Sequence, residues 1–503
     1  MFSNVKRHVT EESVAFLACV VIYSMVIIWM LAHDFVSDFA QHRLAKVLAT
    51  VAAGEFRLEN ISLLYPHAPI YLLSIFYLLP GMDSPYLPYF LSIIATAGLI
   101  TLWNHQLKKK RYSGSARLLL LGLVASHPFI LWAATSGLHN SLTLLVFYLF
   151  IYSCVLMLHL RDVRSIMMVS IMMALLFFTD ERTGFIFLAF LPLIPLLAPR
   201  GMAHDSLPSV YIIIAFPLAV SVGSWVYLNW IFHGNPWLFI EAREASFSGA
   251  WHDIPSLPWL QHMGGEWLSP LISSLAMSAL SFPAFLWLSY RYHRSLRVSV
   301  AMLALFLHPM IAISLSTEAF FLQHPINILY LLTAVMMAAI VLVPKLTGWP
   351  FILLALLLAI GNVGGWSLIA STKTQDFMAW QQALSGEAPP LLHESDKSLG
   401  QWLHENPLET MVDDRVAYRA IVAKGDARGL ILPYSDRFKL ALKHQQLNIP
   451  QLAVIHPGLP QANMDALGQR FPDLYWNGMS GYRLVYDHDG WRVYRLNNAV
   501  AHR

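Results

Sequence analysis

Hydrophobic residues run in long blocks along the first three quarters of the chain. The first block, 13–32, has about 20 residues, enough to cross the ~30 Å hydrocarbon core of a bilayer. Lys6 and Arg7 precede it and no small-residue cleavage motif follows, so the pattern predicts a retained helix and not a signal peptide. Further blocks lie near 86–107, 116–135, 139–159, 165–180, 184–198, 209–232, 266–290, 298–315, 323–343 and 349–371. Segment 68–79 is apolar but only about a dozen residues long, follows Pro66 and Pro69, and stops at Pro80-Gly81. That length predicts a re-entrant or interfacial helix.

After Ser371 the texture changes to short alternating elements. "SLGQWLHENP" predicts an amphipathic helix stopped by Pro407, "ETMVDD" a strand, "AYRAIVAKGD" a helix and "GLILPY" a strand. "DRFKLALKHQ", "QLAVIHP" and "MDALGQRF" continue as helix, strand and helix, and "YRLVYD-HDG-WRVYRL" predicts a hairpin. Helices alternating with strands imply a small α/β domain over 372–503, and no GxGxxG or P-loop marks it as a nucleotide binder.

Positive charges choose the topology. If 68–79 does not cross, the Lys108–Arg111 run, Arg161, Arg164, Arg200, Arg291, Arg294, Arg297 and Lys345 all fall on the side of the N-terminus. The positive-inside rule then predicts about eleven crossings, a cytoplasmic N-terminus and an external C-terminus. The expected organisation is a transmembrane module over 1–371, with external loops at 33–85 and 233–265, followed by the external α/β domain at 372–503. Trp237, Trp251, Trp259 and Trp267 crowd the second of these loops, as an interfacial belt would.

Composition agrees with a lipid-solvated chain. Of the 503 residues, 56% are hydrophobic and only 13% charged, against roughly a quarter charged in soluble domains. Disorder and a disulfide scaffold are excluded. A net charge of +3 with no basic stripe gives no reason to expect a nucleic-acid partner. Cys19 and Cys154 lie inside apolar runs, as small core residues do.

Ionisable groups beside the membrane carry the candidate chemistry. In "HDFVSDFAQHRLAKVLATVAAGEF", Asp34, Asp38 and His42 recur every four residues, so a continuous helix would put them on one face. Phe39, Leu44, Val47, Leu48 and Val51 would then lie on the membrane surface as an amphipathic helix. The competing reading is a solvated juxtamembrane helix with ordinary charges.

The order of these elements resembles the C-type (GT-C) membrane glycosyltransferases, a superfamily that includes the lipid A aminoarabinose transferases and the protein O-mannosyltransferases. The resemblance rests on one helix, an acidic loop ending in Gly, and then "YPHAPIYLLSIFYLLPG". It continues in "HPFILWAATSGLHNSLTLLVFYLF" and "MMALLFFTDERTGFIFLAFLPLI", and runs to about residue 345. It implies a GT-C-like helical fold and a base that takes a proton from the acceptor as a sugar leaves a polyprenyl phosphate with inversion. The catalytic Asp of the family falls best on Asp38, with Asp34 second; a carboxylate at the edge of a low-dielectric cavity suits a general base. His42 would orient the base or bind acceptor. Arg182 matches the basic phosphate-binding position, against a local role neutralising Asp180 and Glu181. His324 stands where the family usually has Arg or Lys, and Arg243 is a further phosphate or sugar contact. His139 replaces an acidic residue found in many members. With no HExxH motif, it implies metal-independent transfer without a cofactor.

The expected function is an inverting glycosyltransferase of the bacterial inner membrane, moving a sugar from a polyprenyl-phosphate carrier to a glycan, lipid or protein acceptor at the periplasmic face. Two alternatives stand beside it: a transporter or flippase of lipid-linked saccharides, and an inactive scaffold of an envelope assembly. Against transport, the charges lie in loops and no pair of broken central helices recurs in matching halves.

Overall fold

A computed structural model of the chain describes residues 2–51, 67–79, 84–160, 162–180, 183–197, 206–237, 268–294, 329–371, 375–388, 394–443, 448–488 and 490–497, with Leu303 and Leu307. It divides into two compact units: residues 1–35, 64–69 and 89–388, and residues 36–63, 70–88 and 389–503. The sequence had placed all of 33–85 with the spans and begun the α/β domain at 372. The boundaries seen in the structure differ at both places.

The first unit is helical. Its elements are α1 (Phe2–Ala32), then α4 (Leu87–Lys109), α5 (Gly114–Ala125), α6 (Pro128–Thr135), α7 (Asn140–Leu160), α8 (Val163–Thr179), α9 (Gly184–Phe190) and α10 (Ile194–Leu197). They continue with α11 (Leu207–His233), α12 (Leu268–Ser281), α13 (Pro283–Arg291), α14 (Leu331–Leu342), α15 (Trp349–Ala370) and α16 (Gln375–Ser385). Helices α2 (Asp38–Val51) and α3 (His67–Tyr77) lie between α1 and α4 in the chain. Among the described residues, five helices are long and apolar enough to cross a membrane, or six if α5 and α6 form one bent span. Val14, Leu17, Val21, Ile22, Met25 and Ile28 of α1 are exposed. A run of large apolar side chains facing outward on a regular helix is solvated by lipid, since water would penalise it and the backbone satisfies itself. The chain is embedded in a membrane.

Several expected single spans are broken, and proline is the cause. The 116–135 block becomes α5 and α6, meeting at 70°. Pro128 lacks an N–H and forces His127 into extended backbone at φ −61°, ψ 129°. Pro283 likewise divides 266–290 at Phe282, and Pro192 and Pro195 divide 184–198. Most of 298–315 lies outside the described residues. At 11 residues, α3 is roughly 16 Å long, too short to cross.

Two of these breaks pack against one face of α15. A Cβ on Gly364 would stand 2.1 Å from the Leu280 carbonyl oxygen, and one on Gly365 would stand 2.7 Å from Pro128 Cγ. Small residues let the backbones meet there. Asn362 of α15 donates to the Leu123 carbonyl (2.9 Å) and to Ser126 Oγ (3.1 Å), serving the opened end of α5.

Helix α16 belongs with the spans. Trp380 Nε1 donates to Thr135 Oγ1 at 2.9 Å, Phe377 stacks on Trp132 at 4.1 Å, and Trp366 stacks on Trp380 at 5.6 Å. At the other end of the unit, Glu11 pairs with Lys108 and Glu12 with His105. Leu346 N–H donates to Tyr112 Oη. The start of α1, the Lys108–Arg111 run and the loop after α14 therefore lie at one end, as the charge pattern required.

The second unit is an α/β layer built from α17 (Glu394–Glu405), β1 (Thr410–Met411), α18 (Asp414–Lys424), β2 (Leu430–Ile431), α19 (Asp436–Lys443), β3 (Gln451–Ile455), α20 (Ala466–Arg470), α21 (Leu474–Asn477), β4 (Tyr482–His488) and β5 (Trp491–Leu496). The sheet order is β2-β1-β3-β5-β4, with β2, β1 and β3 parallel and β5 antiparallel to β3 and β4. Every strand and helix expected from 398 onward is present. Helices α17 and α18 approach closely at Gly400, where a Cβ would be 2.4 Å from the Ala420 carbonyl oxygen.

Helix α2 is part of this unit's core, which corrects the expectation of a helix lying on the membrane surface. Leu44, Ala45, Leu48 and Ala49 pack with Leu399, Leu403, Val416, Ile421, Trp491 and Val493. His42, Lys46, Val47 and Thr50 are buried as well, so α2 has no solvated face along most of its length. Burial of each Leu contributes roughly 1.5–3 kcal/mol.

Candidate functional site

The two acidic residues after the first span occupy different environments. Asp34 is exposed and ends α1 in the left-handed region, at φ 59°. Phe35 N–H reaches the Met30 carbonyl (3.1 Å) and Asp34 N–H the Leu31 carbonyl (3.2 Å), the paired bonds of a Schellman cap. Asp tolerates that conformation better than most residues. The chain therefore turns at Asp34. The continuous helix that would have aligned Asp34 with Asp38 and His42 does not form.

A new helix begins after Ser37. Ala40 N–H donates to Ser37 Oγ at 3.4 Å, an N-cap, and Asp38 in the first turn complements the helix dipole. The Asp38 carboxylate lies in the fork of Arg419 from α18, with Nε–Oδ1 at 2.9 Å and Nη2–Oδ2 at 2.6 Å. Arg419 Nη1 also donates to Asp396 Oδ2 at 3.2 Å, and Trp491 Nε1 donates to Asp396 Oδ1 at 2.6 Å. A chain of charge-assisted bonds thus runs Trp491–Asp396–Arg419–Asp38. Burial works against the guanidinium charge, but Tyr418, Asp38 and Asp396 outweigh it and raise the Arg419 pKa. The Asp38 side chain keeps 22% of its surface exposed.

His42 lies one turn further on, edge-on to Tyr418 at 5.4 Å between centroids. Burial, then the neighbouring Lys46 and Arg43, pushes its pKa well below the ordinary value. His42 is therefore a neutral, packed imidazole at pH 7. One turn beyond, the Lys46 ammonium reaches Asp414 and Tyr434, which also bond each other. Asp414 and Tyr434 follow the carboxyl ends of the adjacent parallel strands β1 and β2. Open α/β sheets bind ligands outside such strand ends. Here a lysine of the chain's own α2 occupies that place.

His139 precedes α7, and its Nε2 lies 3.4 Å from Asp180 Oδ2 at the end of α8. Asp180 is buried, and its carbonyl accepts from Thr183 N–H (3.0 Å) and Thr183 Oγ1 (2.6 Å). A carboxylate therefore does stand beside position 139, supplied by the following helical hairpin. Arg182, Arg243 and His324 lie outside the described residues. Among the described residues, no three His, Cys, Asp or Glu side chains converge as a metal site.

No protein-family model matches the chain, and no curated protein shows significant similarity to it. The site must therefore be read from its own geometry.

The sequence did not single out Arg419, Asp396, Trp491, Lys46, Asp414 or Tyr434. Their partners are 20 to 388 positions away in the chain, and no local spacing reports such a pair. The only local hint was the Asp413-Asp414 doublet directly after a short strand.

Proposed function

We propose that this chain is a metal-independent, inverting glycosyltransferase of the GT-C type. It would move a sugar from a polyprenyl-phosphate carrier to a cell-envelope acceptor at the periplasmic face of a bacterial inner membrane. The observation that carries the reading is Asp38: a carboxylate four residues beyond the end of the turn closing the first span, fixed by an arginine fork and open on one side. A carboxylate held in one orientation and partly exposed can present an oxygen to an acceptor hydroxyl, the geometric requirement of a general base. Arg182, Arg243 and His324 remain the proposed contacts to phosphate and sugar, because a lipid-phosphate donor needs cations at the membrane boundary. The His139–Asp180 pair would serve acceptor binding.

The test is transfer of radiolabelled sugar from a polyprenyl phosphate by the purified protein. Asp38→Asn is nearly isosteric and keeps one acceptor oxygen for Arg419, losing the second bond of the fork because an amide nitrogen cannot accept; donor binding should persist while turnover falls by roughly two to four orders of magnitude. Asp34→Gly supports the left-handed cap and should leave turnover close to the parent's. Loss with Asp34→Gly and retention with Asp38→Asn would move the base to Asp34. Full activity in both would remove this loop from the chemistry. The same Arg419 contact favours one other reading, an inactive scaffold in which Asp38 only ties α2 to α18. A scaffold would show no transfer in the parent protein.

A further inference from the structure

We infer that the end of the helical unit bearing the Lys108–Arg111 run holds an anionic phospholipid. Helices α4, α7 and α14 line a half-open cavity of about 210 Å³ there, far larger than the space one water needs. Its lining includes Ile151, Tyr152 and Val155 of α7, Val341 of α14, and Lys109 and Lys110 at the end of α4. The α7 residues that line it recur at i, i+3, i+4 and i+7 from Tyr148, so one continuous helical face forms a wall.

The chemistry of the lining selects the occupant. Apolar walls give water few partners, so a hydrated cavity is unfavourable. An acyl chain suits the walls, and a phosphate suits the two ammonium groups. The polar groups on the walls are already satisfied in part, since Tyr148 Oη donates to Gln106 Oε1 at 2.6 Å. Nearby acids are committed elsewhere: Glu11 to Lys108 and Glu12 to His105. Lys110 Nζ donates to the Val343 carbonyl at 3.3 Å, which leaves further donors on the same ammonium. Lys109 is exposed. A free phosphate or nucleotide would use the lysines and leave the apolar walls bare. A lipid at the bilayer boundary uses both. This site is independent of the proposed transferase chemistry.

Native mass spectrometry of the full-length protein, delipidated and titrated with phosphatidylglycerol, phosphatidylethanolamine or inorganic phosphate, tests the inference. The parent should retain one phosphatidylglycerol that phosphatidylethanolamine does not replace. Lys109→Gln with Lys110→Gln should weaken that one binding event about thirty-fold, at roughly fivefold per lysine. Val155→Trp keeps both lysines and fills the cavity, so it should also abolish the event while leaving thermal stability in lipid-free detergent unchanged. Equal retention of the two lipids, full retention in either variant, or competition by inorganic phosphate at equal concentration would overturn it. In each of those outcomes the lysines serve only the carbonyl ends of α4 and α14.

Discussion

The buried pairing of Lys46 with Asp414 offers the sharpest test of how α2 is held. Both side chains are almost completely excluded from solvent, at 3% and 2% exposure. Removing one member of such a pair leaves a buried charge uncompensated, which costs roughly 3–5 kcal/mol. Lys46→Met keeps the length and apolar stem of the side chain, so little packing is lost with the charge. Tyr434 would still donate to Asp414, but Asp414 Oδ1 has no hydrogen-bond partner even in the parent. Hydrogen exchange followed by mass spectrometry resolves peptides of α18 and β3 within the whole protein. A 3–5 kcal/mol loss should accelerate their slowest exchange by about two to four orders of magnitude. The double variant Lys46→Met/Asp414→Asn carries neither charge and should recover most of the protection, giving a coupling of about 2 kcal/mol or more. Unchanged exchange in Lys46→Met, or strict additivity of the two substitutions, would mean that the pair does not hold α2 in this unit.

Two further outcomes follow from the packing. Asp465 caps α20 through Leu467 N–H at 3.0 Å, and burial with Asp413 nearby pushes its pKa up to about 7. The folded state therefore binds a proton that the unfolded chain, with a carboxyl near 4, releases first; stability falls as pH rises from about 4 through 7. Asp465→Asn retains the cap acceptor and should exceed the parent in stability at pH 8 but not at pH 4, read by the same exchange experiment; parallel pH curves would refute this. Gly364→Ala should sharply reduce the yield of monodisperse protein, because its Cβ would meet the Leu280 backbone. Gly98→Ala, with open space around its Cβ, is the control, and similar yields from both would refute the close approach.

The sequence by itself determined the lipid-embedded character of the chain, because about 20 apolar residues in a row have one physical solution in a bilayer. It determined the co-location of the Lys108–Arg111 run with the N-terminus, and the alternation of helix and strand from 398 onward, because both are written in local periodicity and charge. It also carried the helix breaks: Pro128 and Pro283 were visible, although the length of the apolar blocks outweighed them in the reading. What the sequence could not decide was what covers α2. Leu44, Val47 and Leu48 make an apolar stripe that fits a membrane surface or a protein core equally well, since lipid and packed side chains are similar solvents for a leucine. Lys46 lies within that stripe, and its pairing with Asp414, 368 positions later, makes its burial tolerable. The same holds for the candidate base. Asp34 and Asp38 were equivalent in spacing, and tertiary structure separated them: a left-handed cap interrupts the helix at Asp34, and Arg419 takes hold of Asp38. Partners brought together from distant parts of the chain leave no periodic trace, so the different surroundings of the two carboxylates belonged to the fold.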